Sequence, residues 1–476
     1  MQERSNTKQN EMRALAAHYQ KHPELFEQQT FIEDAEFLKE FGIFIPDKEH
    51  FMSATLKVWP EDFIVEEIGA DGKVETISLG SSEPSGEGKT VFATLVKCGL
   101  STIEVVEDLC RILGVAREDI SYAGIKDKDA LTAQRISIRR TTPEAVRIVS
   151  SPYFFLKDIV CGKGVVEKGR LKGNRFTILL RTEELLDEPH NSEVMARALQ
   201  AVQEKGFYNF FYLQRFGTPR LRNYEWAYHI LLGNYRQAVF DHLTAPSTRE
   251  LGYFKKLRGE IEAKFGQWAE IKKLLEPYPI MLAHENKVVD HLLKNPEDYA
   301  GALASIPDQI TLWMYALASL FFNQKISFNI ERNQEPPDRL PFFLSNDKAD
   351  WDVYRATLQK YELYPPPFKN LRPFQVLLKK RDAQTKDRAK IIKGEVTDKG
   401  LLLQFELGKG QYATTFLSHL FNLTAGKLPE KISRERLDTK ALVGDLPIAP
   451  VIERFASVIR IKGENAFEGL LEKVSE

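Results

Sequence analysis

Only three cysteines occur in 476 residues, Cys98, Cys110 and Cys161, and none forms a Cys-x-x-Cys pair. That excludes a disulfide framework or a cysteine-built zinc site and suits a reducing cytosol. Long apolar runs are missing too. None approaches the roughly 20 residues that a membrane-spanning helix needs, and residues 1–10 lack the apolar stretch of a secretory leader. His229, His242, His284 and His291 have no metal-ligand spacing and read as structural or solvated. Gly88-Lys89-Thr90 invites a phosphate-loop reading, but the spacing needs glycine where Glu83 stands, and residues 91–96 read as strand rather than helix. No metal and no cofactor is expected. Nothing implies a membrane or an obligate protein partner.

What is present is an ordinary globular balance, 43% hydrophobic and 28% charged residues, in a chain long enough for about two to four domains. Net charge is -1, which by itself points to no nucleic acid. The distribution says more: residues 1–50 hold ten acidic and six basic residues, whereas residues 379–393 hold seven basic and two acidic. A neutral protein with such segregation can still present a basic face to RNA.

The stretch Tyr122-Ala-Gly-Ile-Lys-Asp-Lys-Asp-Ala-Leu-Thr-Ala-Gln134 organises the chain. Before it, Ser101-Thr-Ile-Glu104 reads as a capping box, and Val105, Val106, Leu109, Ile112 and Leu113 form a helical stripe closed by Gly114. After it, Ile136 and Ile138 alternate with polar residues as a half-buried strand. The stretch is therefore a loop on a rigid frame. Asp127 lies between Lys126 and Lys128, whose ammonium groups favour the ionised carboxylate, and Gly124 permits a tight turn. Residue types alone suit a polar turn as well as a site.

Two other stretches carry candidate chemistry. Lys57 and Phe63 flank the Pro60 bend in a strand-like run, where a base and an aromatic could meet phosphate and nucleobase, or be a solvated lysine and a core ring. Six of the ten residues from Phe207 to Phe216 are aromatic, interleaved with Asn209, Gln214 and Arg215. That mix suits stacking on an unpaired base, although a buried aromatic strand would claim about half of the rings.

These stretches carry a resemblance. Gly-x-Lys-Asp-x-x-Ala-x-Thr-x-Gln, from Gly124 to Gln134, resembles the signature loop of the TruD family of pseudouridine synthases. Pro60-Glu-Asp-Phe-x-Val-x-Glu67 is similar to a second family motif, and Asn209-Phe-Phe-x-x-Gln-Arg-Phe-Gly217 to a third, with Tyr212 in place of an inner glycine. The run Phe405 to Thr414 resembles a fourth, with Gly408 for proline and Gln411 for serine. Leu340-Pro-Phe342 departs from the family's Leu-Pro-Gly, while Ser319 to Asn323 resembles its Ser-x-x-x-Asn.

The resemblance implies an α+β fold: a mixed, mostly antiparallel sheet forming a pseudouridine-synthase core, with a large, helix-rich TruD-type insertion domain. The expected division is a helical arm at 1–50, the catalytic domain at 51–217 and 371–425, the insertion at 218–370 and an appendage at 426–476. It further implies a cytoplasmic enzyme that isomerises uridine in tRNA, at position 13, without a cofactor. Asp127 would be catalytic, and Lys57, Phe63, Lys126, Asn209, Phe211 and Tyr412 would bind substrate around it. A catalytically silent RNA-binding relative is the alternative.

Overall fold

The computed structural model describes residues 2–463 apart from positions 82, 185 and 187. The β-branched and aromatic runs pair into one twelve-stranded sheet. Its path runs Thr30–Glu33, Asn422–Gly426, Ser53–Thr55, Leu171–Arg181, Phe63–Gly69, Leu131–Arg139, Thr90–Lys97, Phe154–Gly162 and Ser85–Gly86. Gly400–Gly408 pairs along Leu171–Arg181 and carries Lys390–Thr397 on its other side, and Ile120–Tyr122 pairs with Leu131–Arg139. Three pairings among the described strands are parallel, including Phe63–Gly69 with Leu131–Arg139. The rest are antiparallel, so the sheet is mixed and mostly antiparallel and the fold is α+β.

Both sheet faces are covered. The helix Thr102–Leu113 starts at a complete Ser101/Glu104 capping box and stops at Gly114 in the left-handed region (φ +67). Its Val105, Val106 and Leu109 pack on Val91, Leu95, Ile136 and Ile138. On the opposite face Ile448, Val451, Phe455 and Ile459 meet Ile64, Val96, Leu131 and Phe155. The segment after Gly426, expected as an appendage, thus supplies one cover of the sheet; residues 464–476 lie outside the described part.

Seven helices run between Asn223 and Ile330. The last, Pro307–Ile330, is apolar around most of its circumference and is buried accordingly. Among the described residues no helix is long and apolar enough to cross a membrane.

The run Pro60 to Glu67 holds four carboxylates at 0–1% exposure, each paired with a cation from elsewhere in the chain. Glu61 takes Arg436 at 2.5 Å, Asp62 takes Arg181 at 2.7 and 2.8 Å, Glu66 takes Lys440 at 2.9 Å and Glu67 takes Lys126 at 2.5 Å. Two of these four partners follow Gly426. Such pairs register distant segments, because a buried charge left alone is costly. Arg181→Met should therefore lower stability by about 3–5 kcal/mol, seen as a lower denaturation midpoint. Arg181→Met with Asp62→Leu should recover most of the loss; an equal loss in both variants would refute the charge argument.

Candidate active site

Four hydrogen bonds hold the central loop. The Lys126 N–H donates to Thr102 Oγ1 at 2.9 Å, and that hydroxyl donates to Gln134 Oε1 at 2.9 Å. The Gln134 amide in turn donates to the Gly124 carbonyl at 3.0 Å, and the Gly99 N–H reaches the Lys128 carbonyl at 3.2 Å. Thr102 is the first residue of the capped helix, so the helix end and the following strand clamp the loop between them. Gly124 is not left-handed, and a Cβ there would meet nothing closer than Lys126 Nζ at 3.8 Å. Its carbonyl, not its conformational freedom, is what the loop uses.

The charges around Asp127 differ from the expected ones. Lys126 is buried in its pair with Glu67, with side-chain exposures of 4% and 2%. Lys128 points to Glu104 at 3.4 Å. The chain bends from Lys128 to Ala130, and neither neighbouring ammonium bonds Asp127. Lys57 supplies the counter-charge instead, its Nζ bonded to Asp127 Oδ2, and Lys97 Nζ donates to the Asp127 backbone carbonyl. Oδ1 accepts the Asp129 N–H at 3.2 Å. Burial pushes the Asp127 carboxyl up, but the Lys57 charge and hydrogen bond, the Asp129 N–H and the Lys97 charge outweigh it, and the pKa is lowered. Lys97 is pushed down to about 8 by burial, against the pull of Asp127. Sequence reasoning missed Lys97. It closes the strand Thr90–Lys97 with no motif around it, so only its contact reveals it.

Lys57 and Phe63 do gather at Asp127. The Lys57 ammonium lies 4.5 Å from the Phe63 ring centre, and the Phe176 ring meets Phe63 edge-on at 6.2 Å. Phe63 is only 4% exposed. The expected stacking face is thus covered by Lys57, and the ring supports the cation. Lys126, expected to bind substrate, is a buried anchor instead.

Two adjoining cavities lie on this side of the sheet, and the smaller one reaches the cluster at Lys57. One, of about 540 Å³, is lined by Lys57, Pro60, Asp129, Gln214, Thr414 and Lys462. The other, of about 1120 Å³, is lined by Phe211, Gln214, Arg215 and Tyr412, with Arg249 and Lys255 beyond. Gln214, Tyr212, Thr218 and Arg249 line both, so the two adjoin. Tyr412 is 44% exposed and offers the open ring that Phe63 does not. Phe211 is pinned: its N–H and its carbonyl both bond the Asn323 side chain at 2.9 Å. Asn209 lines neither cavity. Its backbone N–H and side chain bond Thr385 and Gln384 at 2.9 and 3.2 Å. Tyr212, in place of the inner glycine, is buried and donates to Glu33 Oε2 at 2.6 Å. Among the described residues no three His, Cys, Asp or Glu side chains gather where an ion could be held.

Comparison with known proteins agrees with the fold. The family model described as tRNA pseudouridine synthase D (TruD) matches residues 44–340. A Methanosarcina mazei protein named "Probable tRNA pseudouridine synthase D" is 31% identical over 274 residues, 57% of this chain and 59% of its own length. The match thus spans under two thirds of that relative. A tRNA pseudouridine synthase D from Geotalea daltonii is 27% identical over 398 residues, 76% of this chain and 94% of its own. A crystal structure from Methanosarcina mazei, carrying the same family name, superposes with a TM-score of 0.64 at 24% identity, covering 82% of this chain and 98% of its own. With its signature loop clamped beside a cleft and the family model matched over more than half its length, the chain belongs to the TruD family.

Proposed function

We propose that this chain is a tRNA pseudouridine synthase, converting uridine to pseudouridine with the Asp127 carboxylate, at position 13 by family resemblance. The observation that carries the reading is an ionised carboxylate paired with Lys57, on a residue whose backbone carbonyl Lys97 holds, at the edge of a cleft large enough for a flipped nucleotide. In the isomerisation the C1′–N1 bond breaks, the uracil turns, C5 bonds to C1′, and the C5 proton is lost as N1 gains one. No electron is exchanged. Attack by Asp127 on carbon and proton removal by it share one requirement, an ionised oxygen kept close to the sugar and base. Lys57 keeps it ionised; the cavity keeps the free uracil from leaving.

The reading extends to the rest of the chain. Residues 51–217 and 371–425 form the catalytic domain, with 218–370 inserted. Tyr412 stacks on RNA, Phe211 buttresses the cleft, and the basic run at 379–393 meets the backbone of tRNA in the cytoplasm. Asn209, turned to Gln384 and Thr385, acts on substrate only if that strand contact opens.

Mapping pseudouridine in a tRNA transcript with purified protein and chelator present tests the reading directly. Asp127→Asn keeps the shape and removes the charge; conversion should fall by about 10²–10⁴-fold or more, with RNA affinity within about twofold. Binding without conversion by the unmodified protein would favour the silent relative.

Lys57→Met tests the electrostatics. The lowered pKa keeps Asp127 ionised to a lower pH than an ordinary aspartate, so activity should persist further into acid. Without Lys57, burial acts with less opposition from the remaining Lys97 and Asp129 N–H, and the acid limb of the pH–rate profile should move to higher pH. An unmoved limb would separate Lys57 from the carboxylate's ionisation.

Tyr412→Ala should weaken RNA binding about tenfold, since stacking on one base is worth about 1–3 kcal/mol. Phe63→Ala should spare affinity and slow turnover through Lys57. Filter binding beside single-turnover rates distinguishes the two rings.

A further inference from the structure

Lys57 occupies the left-handed region of backbone space, φ +59. Residues with a Cβ avoid that region unless their surroundings impose it. The surroundings here come from the far end of the chain. The Lys462 N–H donates to the Val58 carbonyl at 2.9 Å, and the Lys462 ammonium donates to the Leu56 carbonyl at 3.4 Å. One residue thus engages the two carbonyls on either side of Lys57. The contact is reinforced: Val58 packs with Leu428 and Ile432, Ile461 joins that cluster, and the Trp59 indole donates to the Arg434 carbonyl at 2.8 Å.

Lys462 lines the same cavity as Lys57 and Asp129. It lies far beyond the residues that the family model matches, 44–340. Nothing in the signature motifs predicts that a residue there reaches the site.

We infer that Lys462 is a positioning residue for the reaction, bracing the left-handed turn that aims Lys57 at Asp127. The inference rests on the functional reading above, because it assigns Lys462 an effect on turnover through Lys57. Burial lowers the Lys462 pKa, with the Lys57 charge acting the same way and Glu33 and Asp129 opposing. A partly desolvated ammonium committed to a backbone carbonyl fits a brace.

Lys462→Met in the full-length protein keeps the side-chain stem and the backbone bond to Val58 and removes the bond to Leu56. Its single-turnover rate at saturating tRNA should fall by about ten- to a hundredfold, the scale expected when a reacting group is misplaced. The RNA dissociation constant should stay within about twofold, and Lys462→Arg should restore most of the rate. A loss of affinity at unchanged rate would make Lys462 an RNA contact and overturn the inference, as would an unchanged rate with unchanged affinity. The crystal structure of Lys462→Met gives a readout independent of the reaction. Lys57 displaced from Asp127 supports the brace, and Lys57 still in place refutes it. Failure of the unmodified protein to convert any uridine would instead refute the functional reading.

Discussion

The buried ion pair between Lys126 and Glu67 is the contact on which the central loop depends. Removing two such ions from water costs several kcal/mol each, repaid only when the geometry is close and the other lone pairs are satisfied. Here the Arg135 N–H donates to the second Glu67 oxygen at 3.3 Å. One partner ends the Pro60-Glu-Asp-Phe run and the other opens the Lys-Asp pair, so two separate motifs close on each other. With Lys126 drawn inward to Glu67, the next residue, Asp127, bonds Lys57 beside the cleft.

The same device recurs along the Pro60 to Glu67 run. Arg181, Arg436 and Lys440 each meet one of its carboxylates, and two of those cations lie in the last fifty residues of the chain. A hydrophobic cover could slide over the sheet face; charges paired one to one cannot. That registry brings Lys462 to the Lys57 turn and makes residues 460–463 a wall of the cleft.

At the larger cavity, the helix Pro307–Ile330 reaches the aromatic loop through Asn323, which satisfies both the donor and the acceptor of Phe211. A buried amide with both functions engaged permits one loop position. The Phe211 ring then meets Phe322 and Phe342, at centre distances of 5.1 and 5.5 Å. Phe342, where the resemblance leads one to expect glycine, fills space beside Phe211 with its ring.

Local chemistry was legible in the sequence. The capping box at Ser101 and Glu104, the left-handed stop at Gly114, the alternating strand at Ile136 and Ile138 and the central loop between them depend on neighbours within a few residues, and their patterns are written in order. The mixed sheet and the helix-rich insertion were what the resemblance to the family implied. The partners of the charges were not legible. Lys126 and Lys128 flank Asp127 in sequence yet serve Glu67 and Glu104, while Lys57, Lys97 and Lys462 come from elsewhere. Phe63 looked like a stacking ring until Lys57 covered its face. Periodicity and capping are properties of short chain segments, so sequence alone determined them; which cation neutralises which carboxylate depends on distances across the sheet, and only the tertiary structure decided that.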